Sequence, residues 1–417
     1  MTRSNEQLNP PSGACVDLRL LAAGLLVLLV MAACDKPYTW DGSLEALMAS
    51  QSEHFTTVLE NPENFRVQVI YTQIDRDADN NPSFRSYEYR LNADEYFYPA
   101  STVKLPVALL ALEKLGDLGI DGLDRDTLML SGEEESGKSV GRYVREILLV
   151  SDNVAFNRLY EFVGQEPLNE RMQQSGFDGT RIMHRLETAL SVEENRNTGP
   201  IRFMDGDTVI LEQAAVYSGR DYTAPRPIPL GKAEIVGNEL LERPKDFAEK
   251  NAYPLQAQHD VIKALMFPEA VDERMRFRLS EDDNAFVYRN MSAYPGNSGI
   301  PEYADAENYP DGYVKFLMFG GDAPAIPENI RIFNKVGDAY GFLTDAAYIV
   351  DFENGVEFIL AATIFTNANQ TFNDNVYEYD EIGLPFMRHL GQAVYNIELQ
   401  RERPHQPDFE YLEFVRN

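Results

Sequence analysis

Hydrophobic positions along the chain recur first at helical spacing. Leu44, Leu47, Met48, Phe55, Val58 and Leu59 lay one apolar stripe along a polar segment, which predicts an amphipathic first helix. The period then drops to two. Phe65, Val67, Val69 and Tyr71 alternate with their neighbours, Asp77 to Pro82 reads as a turn, and Tyr87, Tyr89 and Leu91 alternate again, so two strands follow. From Val103 to Leu115 the residues are apolar nearly all round, as in Val107-Ala108-Leu109-Leu110-Ala111-Leu112, the pattern of a helix buried on every side. Helical patterning continues from Val140 to Val163, and Gly164 supplies a stop. Pro200, Pro225, Pro227, Pro229 and Pro244 then break residues 195–254 into what reads as an irregular insertion. A helix over Leu255 to Met266 and a Pro/Gly-rich loop from Tyr294 to Pro327 come next, before strand signals return at Arg331. Asn354-Gly355, between Ala346 to Phe352 and Val356 to Phe365, has the composition of a two-residue hairpin turn. Leu384, Met387, Leu390, Val394 and Ile397 form a last amphipathic helix.

Helix and strands at both ends enclose a helical middle, so the expected fold class is α/β. The two ends jointly build an antiparallel sheet flanked by helices, and a helical lobe is inserted between them. Residues 44–98 and 331–417 make the α/β lobe; 99–330 make the mainly helical one, insertion included. A chain of 417 residues suits a single large two-lobed enzyme whose lobes share a cleft. Charge removes one class of partner. With 37 Lys plus Arg against 67 Asp plus Glu, a formal net charge of −30, the chain offers no general attraction for a phosphate backbone, and no nucleic-acid partner is expected.

Near the N-terminus, Arg19 precedes an uncharged run from Leu20 to Ala33, short of the roughly 20 apolar residues that span a bilayer. Residues 1–33 therefore read as a signal peptide. The run ends Met31-Ala32-Ala33-Cys34, which resembles a bacterial lipobox, small residues before the cut and then a cysteine whose thiol takes a diacylglycerol. Cys34 would then tether a periplasmic protein of the cell envelope to a membrane, with residues 34–43 as linker. Cys15 is the only other cysteine and would leave with the signal, so an internal disulfide in the mature chain is excluded.

The candidate chemistry starts at Ala100-Ser101-Thr102-Val103-Lys104. Ser101 and Lys104 stand three residues apart, on one face of a helix, which sets a nucleophilic hydroxyl beside an amine that can act as its base. Because the helix that follows is apolar on all sides, Lys104 faces a dry wall. Holding a lysine neutral at pH 7, from a reference of about 10.4, costs roughly 4.6 kcal/mol, which desolvation supplies in part. Ser151-Asp152-Asn153 closes one helical pattern and opens the next, where short polar side chains normally cap. Phe333-Asn334-Lys335-Val336-Gly337 introduces a strand, in which Lys335 could be a plain edge lysine.

Taken in this order, Ser101-x-x-Lys104, Ser151-Asp152-Asn153 and Lys335-x-Gly337 resemble the motif trio of class A β-lactamases and other penicillin-recognising serine hydrolases. Tyr98-Pro-Ala-Ser-Thr-Val-Lys resembles the nucleophile segment of that family, and Glu187-Thr188-Ala189-Leu190-Ser191, after Thr180-Arg181-Ile182, resembles its omega loop. The resemblance covers about residues 44–195 and 331–397. It implies a β-lactamase/transpeptidase-like fold and an acyl-enzyme on Ser101, with Lys104 as base and Ser151 carrying the proton to the leaving nitrogen. It further implies oxyanion donors at the N–H groups of Ser101 and Asp338, substrate contacts at Asn153, Lys335 and Gly337, and a deacylating water held by Glu187 with Ser191 in support. A β-lactam or peptidoglycan-like amide is the implied substrate, and no cofactor is implied. Three departures bear on it: Val336 stands where a Thr or Ser is usual, Ser191 where Asn is usual, and Gly337 to Tyr340 is one residue shorter with an acidic Asp338. A D-Ala-D-Ala carboxypeptidase or esterase on the same scaffold, or an inactive envelope binding lipoprotein, are the rival readings.

Two further strings imitate other enzymes. Gly132-Glu-Glu-Glu-Ser-Gly137-Lys138-Ser139 fits a P-loop, although three glutamates would face the phosphates, and Gly137-Lys138-Ser139-Val140-Gly141 spells an esterase elbow without the buried strand that must precede it. The histidines His54, His184, His259, His389 and His405 show no metal-ligand spacing, so no metal is expected.

Overall fold

A computed structural model describes residues 40–321 and 325–416. The segment read as a signal peptide, residues 1–33, and Cys34 lie outside these residues. From Asp41 onward the chain is one compact unit. It begins with two short helices, α1 (Leu44–Ala49) and α2 (Ser52–Glu60), where one was expected. The break falls at Ser50, whose hydroxyl bonds back to Leu47 O at 2.7 Å and so competes with helix continuation.

Two strands, β1 (Gln68–Arg76) and β2 (Pro82–Tyr89), join three from the far end of the chain, β3 (Ile330–Ala339), β4 (Phe342–Asp351) and β5 (Val356–Phe365). They form one antiparallel sheet in the order β3-β4-β5-β1-β2, and β1 meets β5 with Gln68 opposite Thr363 and Gln73 opposite Phe358. The expected assembly of the sheet from both chain ends is therefore present. Every residue of β4 and β5 is buried, so both faces of the sheet are covered. Successive residues of β1 show by what, since strand neighbours point to opposite faces. The Tyr71 hydroxyl donates to Glu398 of α9 (Leu384–Gln400), while the Thr72 hydroxyl bonds His259 of α7 (Leu255–Met266) at 2.8 Å.

The inserted lobe packs around α3 (Lys104–Leu118), whose residues from Lys104 through Leu112 are all buried, as the all-round apolar pattern predicts. Helices α4 (Val140–Val150), α5 (Asn153–Val163) and α6 (Gln165–Gln174) follow, the last unforeseen because Pro167 and seven polar residues leave its ten with little apolar stripe. A further unforeseen helix, α8 (Glu281–Ser292), opens on three consecutive acids and is N-capped by Ser280. The region 195–254 corrects the expectation of an irregular insertion. It is built of short strands: Ile201–Asp205 pairs with Leu128–Ser131 on one side and Thr208–Gln213 on the other. Prolines limit these strands to between two and six residues, too short to show a period of two.

Two of the sheet's hairpins differ from the expectation of a two-residue turn at Asn354-Gly355. Asp351 faces Val356 across the β4–β5 loop, so the connection has four residues, and Asp351 Oδ1 accepts from the N–H groups of Glu353 and Asn354 at 2.9 and 3.0 Å. The two-residue turn lies between β3 and β4 instead. There Ala339 faces Phe342, and Tyr340 and Gly341 take φ of 57° and 83°, the left-handed pair that matches strand twist.

Candidate active site

Three elements converge on one hydroxyl. The chain enters the site through Ala100, held at φ 46°, and a single 3-10 turn over Ala100–Val103 that Thr102 fastens by bonding its hydroxyl to Pro99 O at 2.7 Å. That turn leaves Ser101 partly exposed, and its hydroxyl has no hydrogen-bond partner among the described residues. Lys104 begins α3 fully buried. Its amine donates to Ser151 O, and to Ser151 Oγ at 3.3 Å. Ser151 ends α4 in the left-handed region at φ 59°, its N–H still bonded to Ile147 O, and Asp152 immediately caps α5 by accepting from Ala155 N at 2.7 Å. This one-residue reversal between two helices turns the carbonyl and hydroxyl of Ser151 toward Lys104.

The third element is β3, an edge strand of the sheet. Lys335, 3% exposed, donates to Ser151 Oγ at 2.9 Å and to Val336 O at 2.8 Å. Two residues on, the strand runs hard against the nucleophile turn: a Cβ on Gly337 would lie 2.6 Å from Pro99 O and 2.7 Å from Ser101 N. Only glycine permits that approach. The backbone of Gly337-Asp338 is thereby set beside Ser101, where a developing oxyanion would sit.

Burial sets the electrostatics. Lys104 is driven well below the ordinary amine range by desolvation and then by Lys335, while Asp152, Asp338 and Glu187 oppose that fall. Lys335 drops to about 7 through burial, against the pull of Asp338 and Asp345. Behind it lies a polar network that no motif announced. Lys315, 1% exposed, donates to Met291 O, Ile332 O and Asn334 Oδ1 at 2.6, 2.9 and 2.8 Å, and Asn334 Nδ2 passes the chain on to Asp345 Oδ1 at 2.8 Å. Burial lowers Lys315 to about 7 and raises Asp345 to about 6. Asn334 thus clamps the strand position next to Lys335, and its sole sequence signal was an amide among apolar neighbours.

Ser101 opens on a cavity of about 400 Å³ lined also by Asn153, Glu187, Asp338 and His184. Glu187 is exposed on its loop at φ 52°, and Asn153, half-buried on the cavity wall, makes no side-chain hydrogen bond with Lys104. His184 was not anticipated here. Its Nδ1 sits 2.7 Å from Arg185 O, which fixes the proton on that nitrogen, so Nε2 is a bare acceptor, buried and without a partner among the described residues. Burial lowers this imidazole to about 4. Ser191 corrects the expectation placed on it. Its hydroxyl and N–H both bond Glu194 at 2.7 Å in a capping box, and it lies outside the cavity that holds Ser101 and Glu187.

The imitation motifs are accounted for structurally. Lys138 pairs with Glu146 at 2.8 Å, and Ser139 caps α4 by accepting from Arg142 N at 3.2 Å, so neither faces a ligand cleft.

A model of the beta-lactamase enzyme family matches residues 52–221, a span that holds Ser101, Lys104, Ser151 and Glu187. No curated protein matches the chain. Among solved structures it is similar to the β-lactamase from Sphaerobacter thermophilus DSM 20745, at 13% identity and a TM-score of 0.49, covering 88% of this chain and 99% of that one. It is also similar to the β-lactamase from Burkholderia phymatum, at 14% identity and a TM-score of 0.48, covering 85% and 100%. A third is the β-lactamase from Desulfarculus baarsii DSM 2075, at 14% identity and a TM-score of 0.46, covering 83% and 98%.

The buried amines make stability depend on pH. Lys315 and Lys335 stand at about 7 in the fold against an ordinary 10.5, so between those values the unfolded chain binds more protons and stability rises with pH. Below about 7 both states are charged and these lysines contribute no slope. Urea unfolding is expected to show a free energy that climbs from pH 7 to 9, and Lys315→Met to climb less steeply by up to about 1.4 kcal/mol per pH unit. An unchanged slope in that variant would show that Lys315 keeps its proton in the fold.

Proposed function

We propose that the chain, which matches a model of the beta-lactamase enzyme family over residues 52–221, is a diverged member of that family and a serine acyl-hydrolase working through an acyl-enzyme on Ser101. The observation that carries this reading is the meeting of Lys104 and Lys335 at the Ser151 hydroxyl, beside an unengaged Ser101 hydroxyl. Ser101 Oγ forms the bond to the acyl carbon while its proton passes to the Lys104 amine. Ser151, placed between the two lysines, returns a proton to the departing nitrogen, oxygen or sulfur as its bond to the acyl carbon breaks. The N–H groups of Ser101 and Asp338 take the oxyanion charge, a contribution that costs about 2.7–4 kcal/mol when one donor is lost. Water then cleaves the ester with Glu187 as base, freeing the acid and restoring the Ser101 hydroxyl.

β-Lactam amides fall within this chemistry and are proposed as slow substrates. Val336 offers no hydroxyl to a substrate carboxylate, and Ser191 is spent on its helix cap, so both carboxylate binding and water placement lose a partner. These same observations favour a second reading, an esterase or D-Ala-D-Ala peptidase on the same scaffold, with simple esters as the faster substrates.

A fluorescent penicillin or a fluorophosphonate probe is expected to label the protein stoichiometrically and the Ser101→Ala variant not at all. Label retained in that variant would place the nucleophile elsewhere. For the second half-reaction, Glu187→Ala should still acylate but deacylate about 10²–10⁴ times more slowly, so that intact-mass measurement finds the acyl adduct accumulating. Normal turnover would remove Glu187 from that role. The sequence Met31-Ala32-Ala33-Cys34 supports a further part of the proposal, export and lipid attachment at Cys34, with the enzyme held on a membrane of the cell envelope. Cys34→Ser is expected to move the protein from the membrane fraction to the soluble one and to remove the diacylglycerol mass; an unaltered distribution would exclude the anchor.

A further inference from the structure

Ser151 lines a second cavity, of about 450 Å³, that shares Asp338 with the one holding Ser101 and Glu187. Asp338 lines both, so the two are consecutive parts of one cleft divided at the reacting groups. Resting on the acyl-hydrolase reading above, we infer that this second cavity receives the leaving group and selects an apolar one that ends in a cationic ammonium, against one that carries a carboxylate.

The position follows from the proton path. Ser151 lines this cavity and holds the proton that the leaving atom must receive, so the part of the substrate that departs is the part that fills it. Its character follows from the walls. Phe316, Val336, Leu343 and Leu384 make it apolar, and its only charged groups among the described lining residues are the carboxylates of Asp338 and Asp380. Neither carboxylate has a side-chain hydrogen bond or an ion-pair partner among the described residues. No lysine, arginine or histidine lines the cavity. The nearby Lys335 amine is not among the lining residues; it is turned to Ser151 Oγ and Val336 O, which accept from it. An anionic leaving group would therefore enter against two carboxylates with no lining cation to offset them. A cationic one would find the carboxylates of Asp338 and Asp380, neither in a salt bridge among the described residues, and the rings of Tyr313 and Tyr379 around it.

Three matched thioacetates test this with the intact protein: acetylthiocholine, its neutral isostere 3,3-dimethylbutyl thioacetate, and S-acetyl-3-mercaptopropionate, each read by thiol release. Values of kcat/KM are expected to fall in that order, with the first and last at least about tenfold apart. Asp380→Asn is expected to reduce the ratio of the cationic to the neutral thioacetate about threefold or more. The inference is overturned if the carboxylate substrate is turned over as fast as the neutral one, or if that ratio does not move in Asp380→Asn. A neutral fluorophosphonate separates the two levels. Labelling of Ser101 with the wrong order of thioacetates overturns the pocket assignment alone, whereas no labelling of Ser101 removes the acyl-hydrolase reading and the pocket assignment together.

Discussion

Two buried amines share one hydroxyl, and the architecture around the cleft follows from that constraint. Lys104 from the helical lobe and Lys335 from the sheet both donate to Ser151 Oγ. Two like unit charges sharing one acceptor repel by roughly 3 kcal/mol at an effective dielectric near 20, so full protonation of both is disfavoured even before their desolvation is counted. One proton is therefore easily lost from the pair, and the Ser151 hydroxyl lies on the route it takes. Keeping the amines there requires walls that cannot yield. The apolar body of α3 closes one side, and the Lys315–Asn334–Asp345 network braces the strand on the other.

The geometry also depends on backbone that ordinary residues avoid. Ala100, Ser151 and Glu187 all take positive φ, and each is a non-glycine residue that bears on the cleft. Such conformations cost about 1–3 kcal/mol each and persist only where the surroundings over-determine them. For Ser151 the determinants are visible: the α4 carbonyls hold its N–H, Asp152 caps the next helix, and two lysines take its oxygens. Gly337 shows the opposite solution. There a missing side chain, and not a strained one, lets β3 approach within contact of Ser101 N.

How much of this could be read from the sequence depended on whether the relevant pattern was local. The Ser101–Lys104 spacing, the helix junction at Ser151-Asp152 and the apolar girdle of α3 are local and were legible, and so was a sheet drawn from both ends of the chain. Ser191 was not. Its sequence neighbourhood fits a water-holding loop, yet a glutamate three residues later offered it a capping box, a competing local bond that a motif comparison does not weigh. Asn354-Gly355 failed similarly as a tight turn because Asp351, just outside it, captures two turn N–H groups and widens the loop to four residues. The buried Lys315–Asn334–Asp345 network joins residues separated by up to 30 positions, and no periodicity records such a link.

The two halves of the proposed reaction are built with unequal rigidity, and this argues for where its rate is decided. The groups proposed for acylation are held by packed elements: Lys104 opens α3, Lys335 lies in β3, and Ser151 is fixed between two helices that Ile147 O and the Asp152 cap define. Glu187, the acid proposed for deacylation, is exposed on a loop, and the residue expected to steady its water is engaged elsewhere. A rigid site reproduces the near-attack geometry of its nucleophile at every encounter, whereas a water beside an exposed loop residue has fewer fixed partners and must be ordered anew. Acylation would then be set by the scaffold and deacylation by loop and water placement.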